Sequence, residues 1–333
     1  MSSRYAAAHA NPQGPGDARP TALQIIQDEN IGAKLLGKTI LITGCSSGIG
    51  IETAKALHTT GVILYLTARN IDKAKIALGD LVTQRNVHLL KLDLNSLSSV
   101  RACAREFLSQ SPQLNIFIAN AGVMATREGR TEDGFETQFG TNHLSHFLLF
   151  SLLKSTLLAS STPAFNSRAI FLSSVGHRLG QPDFLNLNLE GNYNPWVAYG
   201  SSKTANLWTA NEIDRRYGSR GLHAWAVHPG GVATGLAQHI SAEEKAVMMQ
   251  DTTLLKIAKT SEQGAATTVW AAIAGELEGK GGRYVEECGT FTGPWDEKTG
   301  IYDSGYAVWA YDEAKEGQLW KESLKLVGLE DEL

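Results

Sequence analysis

Short apolar runs recur along the chain, separated by longer segments of helical pattern. The runs are TILIT (39–43), VILYLT (62–67), VHLLKL (87–92), NIFIAN (115–120), RAIFLSS (168–174), LHAWAVH (222–228) and GGRYVE (281–286). They are rich in Ile, Leu and Val with little polar alternation, which predicts strands buried on both faces. GIETAKALHTT, IDKAKIALGDL, about 96–110, about 133–159, VAYGSSKTANLWTANEIDRRYG and SEQGAATTVWAAIAG read as helices. Strand–helix alternation of this kind predicts an α/β fold, a doubly wound sheet of about seven parallel strands. No repeat or low-complexity linker interrupts it. The chain divides into a tail and lead-in helix (1–36, loose over 1–20), one domain (37–290) and a C-terminal extension packing on it (291–333).

Composition narrows the class. Apolar residues make up 43% of the 333 positions and charged residues 19%, ample for a core. The net charge is −4 and no basic run or basic–aromatic stripe occurs, which argues against a nucleic-acid partner. Cys45, Cys103 and Cys288 are scattered, without disulfide or metal spacing, so no metal is expected and a reducing, cytoplasmic location is. The opening twenty residues lack the apolar stretch of a secretory signal. The apolar segment 144–158 is broken by Ser145, His146, Ser151, Lys154 and Ser155, so it reads as a buried helix and not a membrane span.

Candidate chemistry begins where the first strand ends, in TGCSSGIG (43–50). Gly44, Gly48 and Gly50 sit between a strand and a helix start. Glycine admits close approach of a ligand, and a helix N-terminus offers free N–H groups to a pyrophosphate. After the second strand, YLTARN places Arg69 nineteen residues past Gly50, with no carboxylate before Asp72. A carboxylate there holds ribose hydroxyls; an arginine matches a 2′-phosphate, which favours NADP(H) over NAD(H). Asp93 either accepts from an adenine amino group or caps a helix near residue 95. Two Tyr-x-x-x-Lys pairs occur, Tyr199–Lys203 and Tyr311–Lys315. On a helix such a pair shares a face, and an ammonium can lower a phenol's pKa.

Six motifs in order resemble the short-chain dehydrogenase/reductase family over about residues 38–290: TGCSSGIG, NAG (120–122), Asn142 in TNHLSHF, FLSS, YGSSK and HPGGVATG (228–235). YLTARN, TNHLSHF and SSVGH most resemble its retinol-dehydrogenase and WW-domain-oxidoreductase branch, especially fungal soluble members. The resemblance implies a Rossmann-type domain holding the cofactor with Gly44, Ser46, Ser47, Gly48, Ile49, Gly50, Arg69, Asp93, Leu94, Asn120, Ala121, Gly122, Tyr199, Lys203, Pro229, Gly230, Val232 and Thr234. It implies Asn142, Ser174, Tyr199 and Lys203 as the catalytic group. Tyr199 would be proton donor and acceptor, Lys203 would hold the nicotinamide ribose and lower the tyrosine pKa, Ser174 (preferred to Ser173) would bond the substrate oxygen, and Asn142 would hold a water leading to Lys203.

By the same resemblance, the reaction is carbonyl–alcohol interconversion on a lipophilic small molecule, in a fungal setting a secondary metabolite. A non-redox lyase, cyclase or isomerase, or an NADP-binding regulatory protein, is the alternative. Ser174 and Tyr199 are twenty-five residues apart, farther than is usual in the family. The intervening 175–198, with 235–260 and the aromatics Trp295, Trp309 and Tyr311, would wall the substrate pocket. SAEEKAVMMQ (241–250) would be a lid or an ordinary surface helix, and His177 a second acid–base group or a loop-shaping residue. Tyr311, flanked by Asp312 and Glu313, reads as a packing tyrosine on one helical face with Val308, Lys315 and Leu319. Homodimers of the family pair through helices at 133–159 and 197–217, a surface the extended C-terminus could cover.

Overall fold

The computed structural model describes residues 4–290, 293–300 and 302–331. Its centre is a sheet of β1 (Thr39–Ile42), β2 (Ile63–Ala68), β3 (Val87–Lys91), β4 (Ile116–Ala119), β5 (Ser167–Leu172), β6 (Leu222–His228), β7 (Arg283–Glu286) and β8 (Gly289–Thr290). The spatial order is β3-β2-β1-β4-β5-β6-β7-β8. The first seven strands are mutually parallel, and β8 turns back antiparallel on β7. Strand order reverses between β1 and β4, so the loops leaving those strands diverge and open a crevice at their C-terminal ends.

Side-chain alternation sends each strand into two cores. Ile40, Ile42, Ile116, Ile118, Ile170 and Leu172 enter one, together with Ile25 and Trp270 from covering helices. Leu41, Phe117 and Phe171 enter the other, with Phe147, Phe150 and Trp208. Both faces are thus apolar, which explains why the strands read as continuous hydrophobic runs.

Three segments depart from the sequence reading. The helix expected from about 133 starts later: Arg130 and Glu136 form an antiparallel bridge, and a π-helical turn, Phe139–Leu144, leads into the α-helix Ser145–Ser160. The tail is not loose over its described part. Tyr5 and Arg19 are buried, and the Arg19 guanidinium donates to Gly14 O, Ile257 O and Ala258 O at 3.1, 2.6 and 2.6 Å; residues 1–3 lie outside the described residues. Finally, the C-terminal helix begins at Glu313, capped by Asp312, so Tyr311 precedes it and shares no helical face with Lys315.

That helix, Glu313–Leu326, covers the helices at 145–160 and 195–217. Trp320 meets Phe147 edge-on at 5.0 Å, Ser323 bonds His143 Nε2 at 2.8 Å, and Asn211 donates to Glu316 at 2.6 Å. The surface through which the resemblance would pair two copies is therefore occupied, over these contacts, by the chain's own C-terminus.

Candidate active site

The crevice is built from glycines whose missing side chains are needed. A Cβ on Gly44, which has φ +76°, would lie 2.8 Å from Ala121 Cα, and one on Gly50 would lie 2.5 Å from Gly44 O and 2.6 Å from Asn120 Nδ2. The turn thus packs directly on the 120–122 segment. Thr43 ties them: its hydroxyl accepts from the N–H groups of Asn120 and Ala121 at 2.9 and 3.0 Å. Asn120 Nδ2 donates to Thr43 O at 2.7 Å, while Asn120 Oδ1 is buried without a partner. The helix Ile49–His58 starts at this turn, and a Cβ on Gly48 would approach Thr234 Cγ2 at 3.1 Å, so the 228–235 loop closes over it. Free helix N–H groups, a backbone without side chains and an orphan amide oxygen fit a dinucleotide.

Other candidates fall around this crevice. Ser46 is half-buried, Ser47 exposed, and Ile49 packs against the core. Arg69 is exposed at the end of β2. Asp93 accepts from Asn95 N–H at 3.0 Å, a local turn; the N-cap position of the next helix is Ser96, so Asp93 does not cap it. Leu94 is buried and its carbonyl accepts from Ser145. Gly230, which follows Pro229 with φ +95°, lies against the Lys259 side chain, and Val232 pairs with Lys259 as an isolated bridge.

The helix Pro195–Tyr217, capped by Asn194, carries Tyr199 and Lys203 inward, both nearly fully buried. Lys203 Nζ donates to Leu172 O at 3.1 Å and lies 5.6 Å from the Tyr199 ring centroid. Ser174, just past β5, neighbours the Tyr199 side chain and lowers its pKa. Ser173 faces the other way and donates to Lys203 O at 2.9 Å. A Cβ on Gly122 would lie 3.0 Å from Asn142 Oδ1 and 3.5 Å from Lys203 Nζ, so Asn142, Lys203 and the 120–122 segment converge. Asn142 itself is held by Val123 through both side-chain atoms, at 2.8 and 2.9 Å.

Burial dominates the protonation of this group. It pushes the Tyr199 phenol up to about 12, opposed by the neighbouring Ser174 side chain, and pulls the Lys203 ammonium down to about 8. The expected lowering of the phenol by the lysine is not found: desolvation, which disfavours each charged form, sets both shifts, and Ser174 is the group that lowers the phenol.

Sequence reasoning left one participant out. His146 stands one turn after Asn142; its ring bonds Asn142 O at 2.9 Å and the Thr43 hydroxyl at 2.8 Å. Thr43 Oγ1 already accepts two N–H groups, so it donates to Nε2, and Nδ1–H donates to the carbonyl. The signal was the i, i+4 spacing. Tyr311 stands apart: its hydroxyl accepts from Tyr284 N–H at 3.0 Å and its ring packs edge-on to Tyr306 at 4.6 Å.

Known proteins are similar to this chain in sequence and fold. Residues 38–245 match the family described as short chain dehydrogenase. The chain is 48% identical to short-chain dehydrogenase/reductase prx1 of Penicillium roqueforti, over 98% of this chain and 96% of that protein. It is 39% identical to retinol dehydrogenase 12 of Homo sapiens, over 77% and 79% of the two chains. A crystal structure of an uncharacterized protein from Mycobacterium Paratuberculosis superposes with a TM-score of 0.67 at 31% identity, covering 91% of this chain and 98% of that one.

Proposed function

Because the chain belongs to the short-chain dehydrogenase family, we propose that it is an NADPH-dependent oxidoreductase interconverting a carbonyl and an alcohol on a lipophilic small molecule. The observation that carries this reading is the convergence of Ser174, Tyr199 and Lys203 beside the glycine cradle. Arg69, exposed at the end of β2, supports NADP(H), since a guanidinium complements a 2′-phosphate.

The nicotinamide, when bound, supplies or accepts the hydride at the reacting carbon. The protein handles the oxygen. Tyr199, its phenol kept protonated by burial, donates a proton to the carbonyl oxygen in reduction and takes it back in oxidation. Ser174 donates a hydrogen bond to the same oxygen, stabilising charge as it develops. Lys203, anchored on Leu172 O, holds the cofactor ribose and places its ammonium beside the tyrosine ring. Asn142 fixes the loop at Val123 and serves the water that leads to Lys203.

A lipophilic substrate is supported by exposed Val197 on the tyrosine helix, by Val247 and Met248 on the helix Ala242–Met248 with Met249 just past its end, and by Leu255 on Thr252–Ile257. Trp196 Nε1 bonds Glu244 at 3.3 Å and Tyr302 bonds Asp251 at 2.6 Å, so this flap is latched from two sides. Within that class we favour a secondary metabolite, the substrate that the resemblance to fungal members of the family implies. No helix among the described residues is long and apolar enough to cross a membrane. The three cysteines are buried thiols, in keeping with our assignment to the cytoplasm.

The test is carbonyl-dependent consumption of NADPH over a panel of aromatic, aliphatic and polycyclic ketones and aldehydes. Turnover with at least one lipophilic carbonyl is expected. Tight NADPH binding without reduction of any of them would favour a non-redox lyase, cyclase or isomerase, or a regulatory protein.

A further inference from the structure

His177 lies three residues beyond Ser174, fully buried, and the reaction proposed above gives it no task. Its ring has two close polar neighbours. Nδ1 is 2.6 Å from Ser174 O, and Nε2 is 2.9 Å from Ala307 N. A carbonyl oxygen can only accept and a backbone N–H can only donate. Nε2 must therefore carry a lone pair and Nδ1 the proton: the neighbours select one neutral tautomer. Protonating Nε2 would set it against the Ala307 N–H, and burial with the adjacent Arg178 charge lowers the ring to about 4. A histidine so committed cannot exchange protons with a substrate.

Its partners show what it does instead. Ser174 O also accepts from His177 N–H at 3.0 Å, and Ser174 Oγ accepts from Gly176 N–H at 3.0 Å. The serine's backbone and side chain are thus set by the 174–177 turn. The Tyr284 ring covers the imidazole at 4.8 Å. Around it the C-terminal segment grips the same turn and the tyrosine helix: Arg178 donates to Gly305 O at 2.5 Å, Trp309 Nε1 to Thr204 Oγ1 at 3.3 Å, and Trp208 Nε1 to Trp309 O at 2.9 Å.

We propose that His177 is a positioning residue which, as its Nδ1–H tautomer, couples the C-terminal segment at Ala307 to the Ser174 carbonyl and so sets the Ser174 hydroxyl opposite Tyr199. The C-terminal extension then supports the active site from behind. This rests on the oxidoreductase reading, and it makes a claim about the free protein as well.

Two measurements test it. In long-range nitrogen–proton NMR of the free protein, the His177 ring should show a protonated Nδ1 and a bare Nε2, unchanged between pH 8 and pH 5.5. A protonated Nε2, or titration near the ordinary histidine value, would overturn the proposal whatever the enzyme does. In turnover, His177→Phe should lower kcat about 10–100-fold, the range found for outer-shell orienting groups, with little change in the KM for NADPH. It should also raise the alkaline pKa of the rate profile, since the Ser174 hydroxyl that lowers the Tyr199 phenol is moved away.

His177→Asn, whose amide can still donate to Ser174 O, should recover part of both effects. On a Ser174→Ala background the His177→Phe loss should vanish, because the residue acts through the serine. Losses that multiply, or a kcat left unchanged by His177→Phe, would overturn the proposal. Unimpaired turnover in Ser174→Ala alone would instead overturn the oxidoreductase mechanism, leaving the NMR result to decide the tautomer.

Discussion

Gly176 packs directly on the proposed catalytic tyrosine. A Cβ built there would lie 2.8 Å from Tyr199 Cε1, 2.9 Å from Cδ1 and 3.4 Å from Ser174 Oγ. Carbon atoms settle at about 3.5–4.0 Å, so in Gly176→Ala the phenol ring must move by roughly 0.7–1 Å. The backbone does not relieve this, because Gly200 on the same helix is itself packed on Gly176 O, at 2.7 Å from its ideal Cβ. A displacement of about 1 Å from productive geometry costs on the order of 100-fold in rate, or about 2.7 kcal/mol of activation free energy. Overpacking also costs about 1–3 kcal/mol of stability.

The assay is steady-state kcat and KM for Gly176→Ala, with a thermal melt and a direct NADPH titration. A fall in kcat near 100-fold is expected, with NADPH affinity kept, since the cradle is on another element. Gly317→Ala is the control. A Cβ there meets nothing within 4 Å, in a helical site, so it should raise the melting temperature and leave kcat alone. Wild-type kcat in Gly176→Ala would refute the claim that Tyr199 is held in place by this contact.

Acid stability follows from the buried histidines. His143, His146 and His177 are lowered to about 3, about 4 and about 4 by burial, from 6.5. Being depressed, they cost nothing well above 6.5 and destabilise the fold progressively as pH falls from there towards 4, at about 2 kcal/mol each by pH 5. Glu286, raised to about 7, works in the opposite direction and returns about 2 kcal/mol over the same interval. A net loss of about 4 kcal/mol from these four groups between pH 7 and pH 5, to which His228, also lowered by burial, adds, should appear in urea melts, whereas an unchanged midpoint would show that these rings are not held neutral. Arg69→Ala should weaken NADPH binding about 10–100-fold, about 1.4–2.7 kcal/mol, and leave NADH binding nearly unaltered; equal losses for both would remove the 2′-phosphate contact.

The strands were legible because the sheet is covered on both faces, so each strand carried its own unbroken apolar signal. The glycine-rich turn after β1 and the helical placement of Tyr199 and Lys203 were legible because their spacing is local. What failed depended on distant partners. Whether Tyr311 is helical was decided by where Asp312 caps the last helix, and periodicity overran that boundary. The N-terminal segment looked loose because its polar residues have few local uses; Arg19 finds its acceptors at 257 and 258. The role of His177 was unreadable, since Ala307, which fixes its tautomer, is 130 positions away. The tyrosine pKa was misjudged for a related reason: sequence shows the neighbouring lysine but not the depth of burial.

The most direct test of the central claim sets two tyrosines side by side. Carbonyl-dependent NADPH oxidation is measured for the wild-type protein, Tyr199→Phe and Tyr311→Phe with the best substrate of the panel. Tyr199 has the Ser174 hydroxyl and the Lys203 ammonium beside it, whereas Tyr311 meets a backbone N–H and another ring. Turnover lost in Tyr199→Phe and kept in Tyr311→Phe is the predicted result; turnover surviving in Tyr199→Phe would contradict the account.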